Sequence, residues 1–214
     1  MSYNYLFKCI IVGDTGVGKT CLLTRFIEKR FNGNNGFTVG VEFFSKIIAV
    51  RDKKIKIQIW DTSGQEAFTA ITRLYYKDCA IALFVFDLNI HKTFQHLKKW
   101  LKAVKSECGE KVVFVIVGNK SDLPSDIDNT EIDSFVAKHE LLYLETSALT
   151  SNDISKIFVK ASEEVLFGVE TGKIAITELN GVRGGSTFFQ EDDKKRGCCD
   201  DNSGTLEDTC CDLM

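Results

Sequence analysis

The chain has 214 residues with 27 Lys and Arg against 30 Asp and Glu, a net charge of −3. That balance leaves no basic footprint for a nucleic acid. No apolar stretch reaches the roughly 18 residues of a membrane span. The start lacks a basic region followed by an apolar one, so no signal peptide is expected, and Ser2 stands where N-myristoylation needs glycine.

An apolar run, Leu6, Phe7, Cys9, Ile10, Ile11 and Val12, predicts a buried strand over residues 5–12. It leads into Gly13-Asp14-Thr15-Gly16-Val17-Gly18-Lys19-Thr20, the G-x-x-x-x-G-K-[ST] phosphate loop. The glycines let the backbone approach a phosphate, and the loop amides open a helix whose dipole favours an anion. Lys19 would reach the β- and γ-phosphates, and the Thr20 hydroxyl would ligate Mg²⁺. Leu22, Leu23, Phe26 and Ile27 then share one face of a helix over about residues 19–29.

Residues 41–50 and 54–60 are both strand-like, joined by the short turn Arg51-Asp52-Lys53. The second alternates Ile55, Ile57 and Ile59 with Lys54, Lys56 and Gln58, the pattern of a half-buried strand. It ends in Trp60-Asp61-Thr62-Ser63-Gly64-Gln65-Glu66. There Asp61 can hold a magnesium shell, the Gly64 amide can turn to a γ-phosphate, and Gln65 can orient an attacking water. An Asp-x-x-Gly turn is common by itself; behind a phosphate loop it becomes informative.

Residues 80–86 read as a buried strand, followed by Phe94, Leu97, Leu101 and Val104 at helical spacing. The next strand, 112–117, precedes Asn119-Lys120-Ser121-Asp122-Leu123. The Asp122 carboxylate can accept from N1–H and the 2-amino group of guanine, and adenine offers neither there. Lys120 would lie along the base, and Asn119 would tie this loop to the phosphate loop. A helix over about 130–140 and a strand over 141–145 follow. Glu145-Thr146-Ser147-Ala148-Leu149 would place the Ala148 amide near the base O6. The last helix carries Ile154, Ile157, Phe158, Ala161 and Val165 on one face.

Alternating strands and helices imply an α/β fold: a mostly parallel six-stranded sheet, one hairpin, and helices on both faces in a three-layer sandwich. Ligands then belong at the carboxyl ends of the strands, where all the motifs lie.

Four motifs in this order resemble those of the small Ras-like GTPases, over about residues 4–170. Val39-Gly40-Val41-Glu42-Phe43, Lys56-Ile57-Gln58-Ile59-Trp60, Tyr75-Tyr76-Lys77-Asp78 and Phe84-Val85-Phe86-Asp87 resemble the Rab branch, with flanking words closest to Rabs of early secretory and endosomal traffic. The resemblance implies a P-loop NTPase domain over 1–172 and a hypervariable tail over 173–214. It implies a switch that binds GTP or GDP with Mg²⁺ held by Thr20, Thr38 and Asp61. Thr38 and Gly64 would also bind the γ-phosphate, and its loss would release residues 31–41 and 64–78. Cys21, Leu123, Ser147 and Leu149 complete the implied nucleotide contacts. Hydrolysis would rest on Gln65 and Lys19, slow until a partner arginine adds roughly 10³–10⁵-fold. Implied partners are an exchange factor, a GTPase-activating protein, a GDP-dissociation inhibitor and effectors reading Phe43, Trp60 and Tyr75, unless those aromatics are core residues. Ser63, Ala67, Thr69-Ala70 and Leu149 depart from the family pattern. The alternative is a GTP-stabilised membrane platform with negligible hydrolysis. A P-loop ATPase would leave Asn119 to Asp122 without a role.

Of eight cysteines, Cys9, Cys21, Cys79 and Cys108 fall in core or helix segments of a reducing cytosol. No C-x-x-C spacing suggests zinc. Residues 181–214 are acidic and poor in core formers, and read as a disordered tether. The end, Cys210-Cys211-Asp212-Leu213-Met214, reads either as one farnesyl site at Cys211 or, by resemblance, as a doubly geranylgeranylated Rab end. Two chains would anchor a tail that has no basic patch. Cys198-Cys199 is either palmitoylated or free. The expected place is the cytoplasmic face of a secretory or endosomal membrane, in exchange with cytosol.

Overall fold

The computed structural model describes residues 2–31, 38, 40–62, 74–109, 111–151, 153–177 and 180–185. Among the described residues seven strands form one sheet: β1 (Tyr5–Val12), β2 (Val41–Val50), β3 (Lys53–Thr62), β4 (Ile81–Asp87), β5 (Val113–Asn119), β6 (Leu142–Glu145) and β7 (Val182–Gly184). The order is β2-β3-β1-β4-β5-β6. β2 runs antiparallel to β3, and β3, β1, β4, β5 and β6 are mutually parallel. The helices are α1 (Lys19–Glu28), α2 (His91–Gln95), α3 (Leu97–Lys105), α4 (Asn129–His139) and α5 (Ile154–Glu170).

The alternation in β3 sorts its side chains as predicted: Ile55, Ile57 and Ile59 are buried, and their lysine and glutamine neighbours are partly exposed. β4 is buried at every position, as a central parallel strand must be. Two apolar clusters lie on opposite sheet faces. One joins Phe7, Ile11 and Ile57 to Leu23 and Phe26 of α1 and to Phe158 and Val165 of α5. The other joins Ile10, Phe84 and Phe86 to Phe94 of α2, Trp100 and Val104 of α3, and Phe135 of α4. The three expected layers result.

Two expectations need correction. The helical stretch after β4 divides at His96 into α2 and α3. The sheet has a seventh strand, taken from the segment read as tail: Val182–Gly184 pairs antiparallel with Tyr5–Phe7. β4 covers only Cys9–Val12 on that side of β1. The lower half of β1 therefore offers unpaired backbone groups, and β7 takes them. Ile174 and Val182 are buried in the α1/α5 cluster, so the chain stays packed well past Gly172. Among the described residues no helix is long and apolar enough to cross a membrane.

Candidate functional site

The carboxyl ends of β1, β3, β5 and β6 bring the predicted segments to one edge of the sheet. Gly13 leaves β1 at φ 148°, and a side chain there would collide with the Val85 carbonyl of β4. Only glycine lets the loop start this close to the neighbouring strand. Thr15 and Gly16 are exposed, whereas Val17 is buried. Gly18 caps α1 in the left-handed region at φ 93° without a side-chain bond. The Lys19 ammonium is folded into the loop, donating to the carbonyls of Gly13 (2.8 Å) and Asp14 (2.9 Å). Cys21 is half-buried one residue after Thr20, inside α1.

Thr20, Thr38 and Asp61 converge from three separate segments. The Thr20 hydroxyl donates to Asp61 Oδ2 at 2.5 Å. It has a single hydrogen, so the Thr38 hydroxyl, 2.7 Å away, is the donor in the second contact. The other Asp61 oxygen, Oδ1, is buried with no hydrogen-bond partner. A buried orphan carboxylate oxygen, on a carboxylate whose other oxygen belongs to a chain of two threonine hydroxyls, fits a small hard cation with oxygen ligands. Burial pushes the Asp61 carboxyl up to about 6, against the pull of the Thr20 hydroxyl and the Lys19 charge. A divalent cation would restore the ionised form. Among the described residues no cluster of His, Cys, Asp or Glu offers an alternative metal site.

The segment from Asn119 to Asp122 is equally well held. Asn119 is buried, and its amide donates to the Val17 carbonyl at 2.7 Å. Its oxygen accepts from the Ala148 N–H at 3.3 Å. Ser147 donates to Asp122 Oδ1, which leaves the second Asp122 oxygen for a ligand. Leu123 and Leu149 are exposed at this rim. Lys120 sits at φ 63°, and its ammonium pairs with Asp87 at 2.5 Å. Asp87 entered the sequence reading only as the end of the word Phe84-Val85-Phe86-Asp87, with no site role. It is buried at the end of β4 and also accepts from the Asn89 N–H. The signal available was a carboxylate ending an otherwise apolar strand.

Phe43 is 53% exposed and packs edge-on to Trp60 at 5.0 Å. Trp60 and Tyr75 are half-buried, so none of the three is a core residue. Ser63, Gly64, Gln65, Ala67, Thr69 and Ala70, the glycine- and asparagine-rich part of 31–41, and the tail cysteines Cys198, Cys199, Cys210 and Cys211 lie outside the described residues.

A phosphate loop, a buried Thr20–Thr38–Asp61 cluster and an Asn-Lys-Ser-Asp loop on one sheet edge are the features of a P-loop nucleotide-binding protein. A sequence model of the Ras family matches residues 8–167, and the chain belongs to that family, within which it is a Rab-type small GTPase. It is 43% identical over 175 residues to the Ras-related protein Rab-4A of Danio rerio, a match that covers 81% of this chain and 82% of that one. It hydrolyses GTP and acts as a switch in vesicle traffic. GTPases of this family depend on Mg²⁺ and nucleotide and work with regulators and effectors.

Proposed function

We propose that this GTPase binds its nucleotide through the residues gathered at the sheet edge and holds Mg²⁺ with Thr20, Thr38 and Asp61. The observation that carries the reading is the orphan Asp61 Oδ1 on a buried carboxylate whose Oδ2 accepts from Thr20, itself bonded to Thr38. Lys19 stands over the phosphate loop to neutralise β/γ-phosphate charge. Asp122 reads guanine, with Ser147 holding the carboxylate and Ala148 supplying an amide near the base. Mg²⁺, when bound, offsets charge on the leaving diphosphate. Gln65 orients the attacking water, and Gly64 and Thr38 report the γ-phosphate to the segments around them.

Exposed Phe43, with half-buried Trp60 and Tyr75, forms the effector surface. An exchange factor, an activating protein with an arginine, and a GDP-dissociation inhibitor complete the cycle. Residues 1–172 make the catalytic domain, with Ile174 and β7 as its buried trailing edge. Cys210 and Cys211 carry prenyl chains that place the protein on the cytoplasmic face of an intracellular membrane.

The test is to identify the nucleotide released from purified protein and follow single-turnover GTP hydrolysis. GDP on the protein, with slow magnesium-dependent hydrolysis that Gln65→Leu abolishes even with activator, is the expected result. Hydrolysis by Gln65→Leu at the parental rate would remove that residue from the mechanism.

A further inference from the structure

The second position of the phosphate loop is free in the G-x-x-x-x-G-K-[ST] pattern, yet Asp14 is held there by two side chains of another element. His96 Nδ1, between α2 and α3, donates to Asp14 Oδ2 at 2.6 Å. The Trp100 indole N–H of α3 donates to Asp14 Oδ1 at 2.8 Å. Both carboxylate oxygens are thus engaged. Trp100 is buried, so its N–H needs this acceptor. The Asp14 carbonyl in turn accepts from the Lys19 ammonium. An unbroken path of hydrogen bonds runs from α3 through one residue to the cation that faces the phosphates.

A loop with three glycines in six residues has much backbone freedom to lose when it closes on a ligand. Anything that fixes it beforehand lowers that cost and slows release. Other tethers act elsewhere: Val85 crowds Gly13, and Asn119 holds Val17. The His96 and Trp100 contacts hold the Asp14 side chain, next to the exposed Thr15 and Gly16.

We propose that His96 and Trp100 are positioning residues that act through Asp14 to hold the phosphate loop and Lys19 ready for the nucleotide, and so set its rate of release. The proposal rests on the phosphate loop being the nucleotide site. It adds α3, which reaches the loop only through Asp14, to the elements that control retention.

The experiment is the dissociation rate of a fluorescent GDP from full-length protein in saturating Mg²⁺. His96→Ala and Asp14→Ala should each accelerate release about tenfold, the scale of one hydrogen bond to a charged group. His96→Asn, which keeps a donor near the Nδ1 position, should restore a slow rate; simple loss of fold stability would not be rescued so specifically. In the Asp14→Ala background, His96→Ala should add nothing. The His96 and Asp14 side chains are 29% and 23% exposed; His96→Ala leaves the core untouched, whereas Asp14→Ala strands the buried Trp100 N–H. If Asp14→Ala does not fold, the comparison of His96→Ala with His96→Asn reads the same contact. Lys19→Ala is the control. Fast release from Lys19→Ala with parental rates from the His96 and Asp14 variants would overturn this proposal alone. Full additivity in the double variant would also overturn it. A parental rate from Lys19→Ala would overturn the phosphate-loop reading and the proposal with it.

Discussion

The Asn119 side-chain amide donates to the Val17 carbonyl at 2.7 Å, across 102 positions of sequence. Its oxygen accepts from Ala148, so one buried residue joins the phosphate loop, the base-reading loop and the loop after β6. Asn119→Ala leaves a buried carbonyl and a buried N–H unsatisfied, each costing about 1–3 kcal/mol. If part of that appears at the nucleotide, GDP dissociation should quicken by about 10- to 100-fold. Stopped-flow release of a fluorescent GDP checks this, and a parental rate would show that the three loops are not coupled.

One Asp122 carboxylate oxygen accepts from Ser147, and on the proposed reading the other faces the base. Asp122→Asn replaces an acceptor with a donor. Guanine, with donors at N1 and the 2-amino group, should lose at least about 100-fold in affinity. Xanthine, whose 2-position carries a carbonyl, should gain. Competition between the two diphosphates reads the exchange directly; unchanged guanine preference would remove Asp122 from base recognition.

The trailing segment is a structural part of the domain. Lys8 donates to the Gly181 carbonyl and Gly185 to the Asn4 carbonyl, and Ile174 and Val182 are buried. Ending the chain at Gly172 removes two buried aliphatic side chains, each worth about 1.5–3 kcal/mol. Its unfolding midpoint with GDP and Mg²⁺ should fall on the order of 10 °C. A chain ending at Gly185 should melt like the full protein. Equal midpoints for both truncations would mean that β7 adds no stability.

Cys9 and Cys79 are almost fully buried; burial pushes the Cys9 thiol up, and the Cys108 contact at 3.2 Å, with burial behind it, raises Cys79. The thiolate is the reactive form, so a raised pKa lowers reactivity at any fixed pH below it. At pH 8, alkylation followed by peptide mapping should label half-buried Cys21 and Cys108 well before Cys9 and Cys79. Rapid labelling of Cys9 would contradict its place in the core.

The site was legible because each motif combines a chemical pattern with a strand end. Asp61 and Asn119 needed only the preceding apolar runs to be placed on the correct sheet edge. The seventh strand was hidden because three residues are too few to show a period, and Val182 gains its burial only from a gap beside β1. The contact of Asp14 with His96 and Trp100 was hidden for another reason. It joins a loop to a helix more than 80 positions away, and local patterning carries no information about such a pair. Lys120 was read as lying along the base without its buried partner Asp87, because a single carboxylate at the end of β4 has no pattern of its own.

The central claim is that the strand-end segments close around one nucleotide and one Mg²⁺ at Asp61. The most direct measurement is GDP dissociation with Mg²⁺ and with excess chelator, for the parent and for Asp61→Ala. Chelation should accelerate release from the parent by at least about tenfold, as expected when a cation shared by protein and phosphates is lost. The Asp61→Ala protein should release GDP fast in both conditions. A parent rate indifferent to chelation, or an Asp61→Ala protein that keeps the full magnesium effect, would contradict the account.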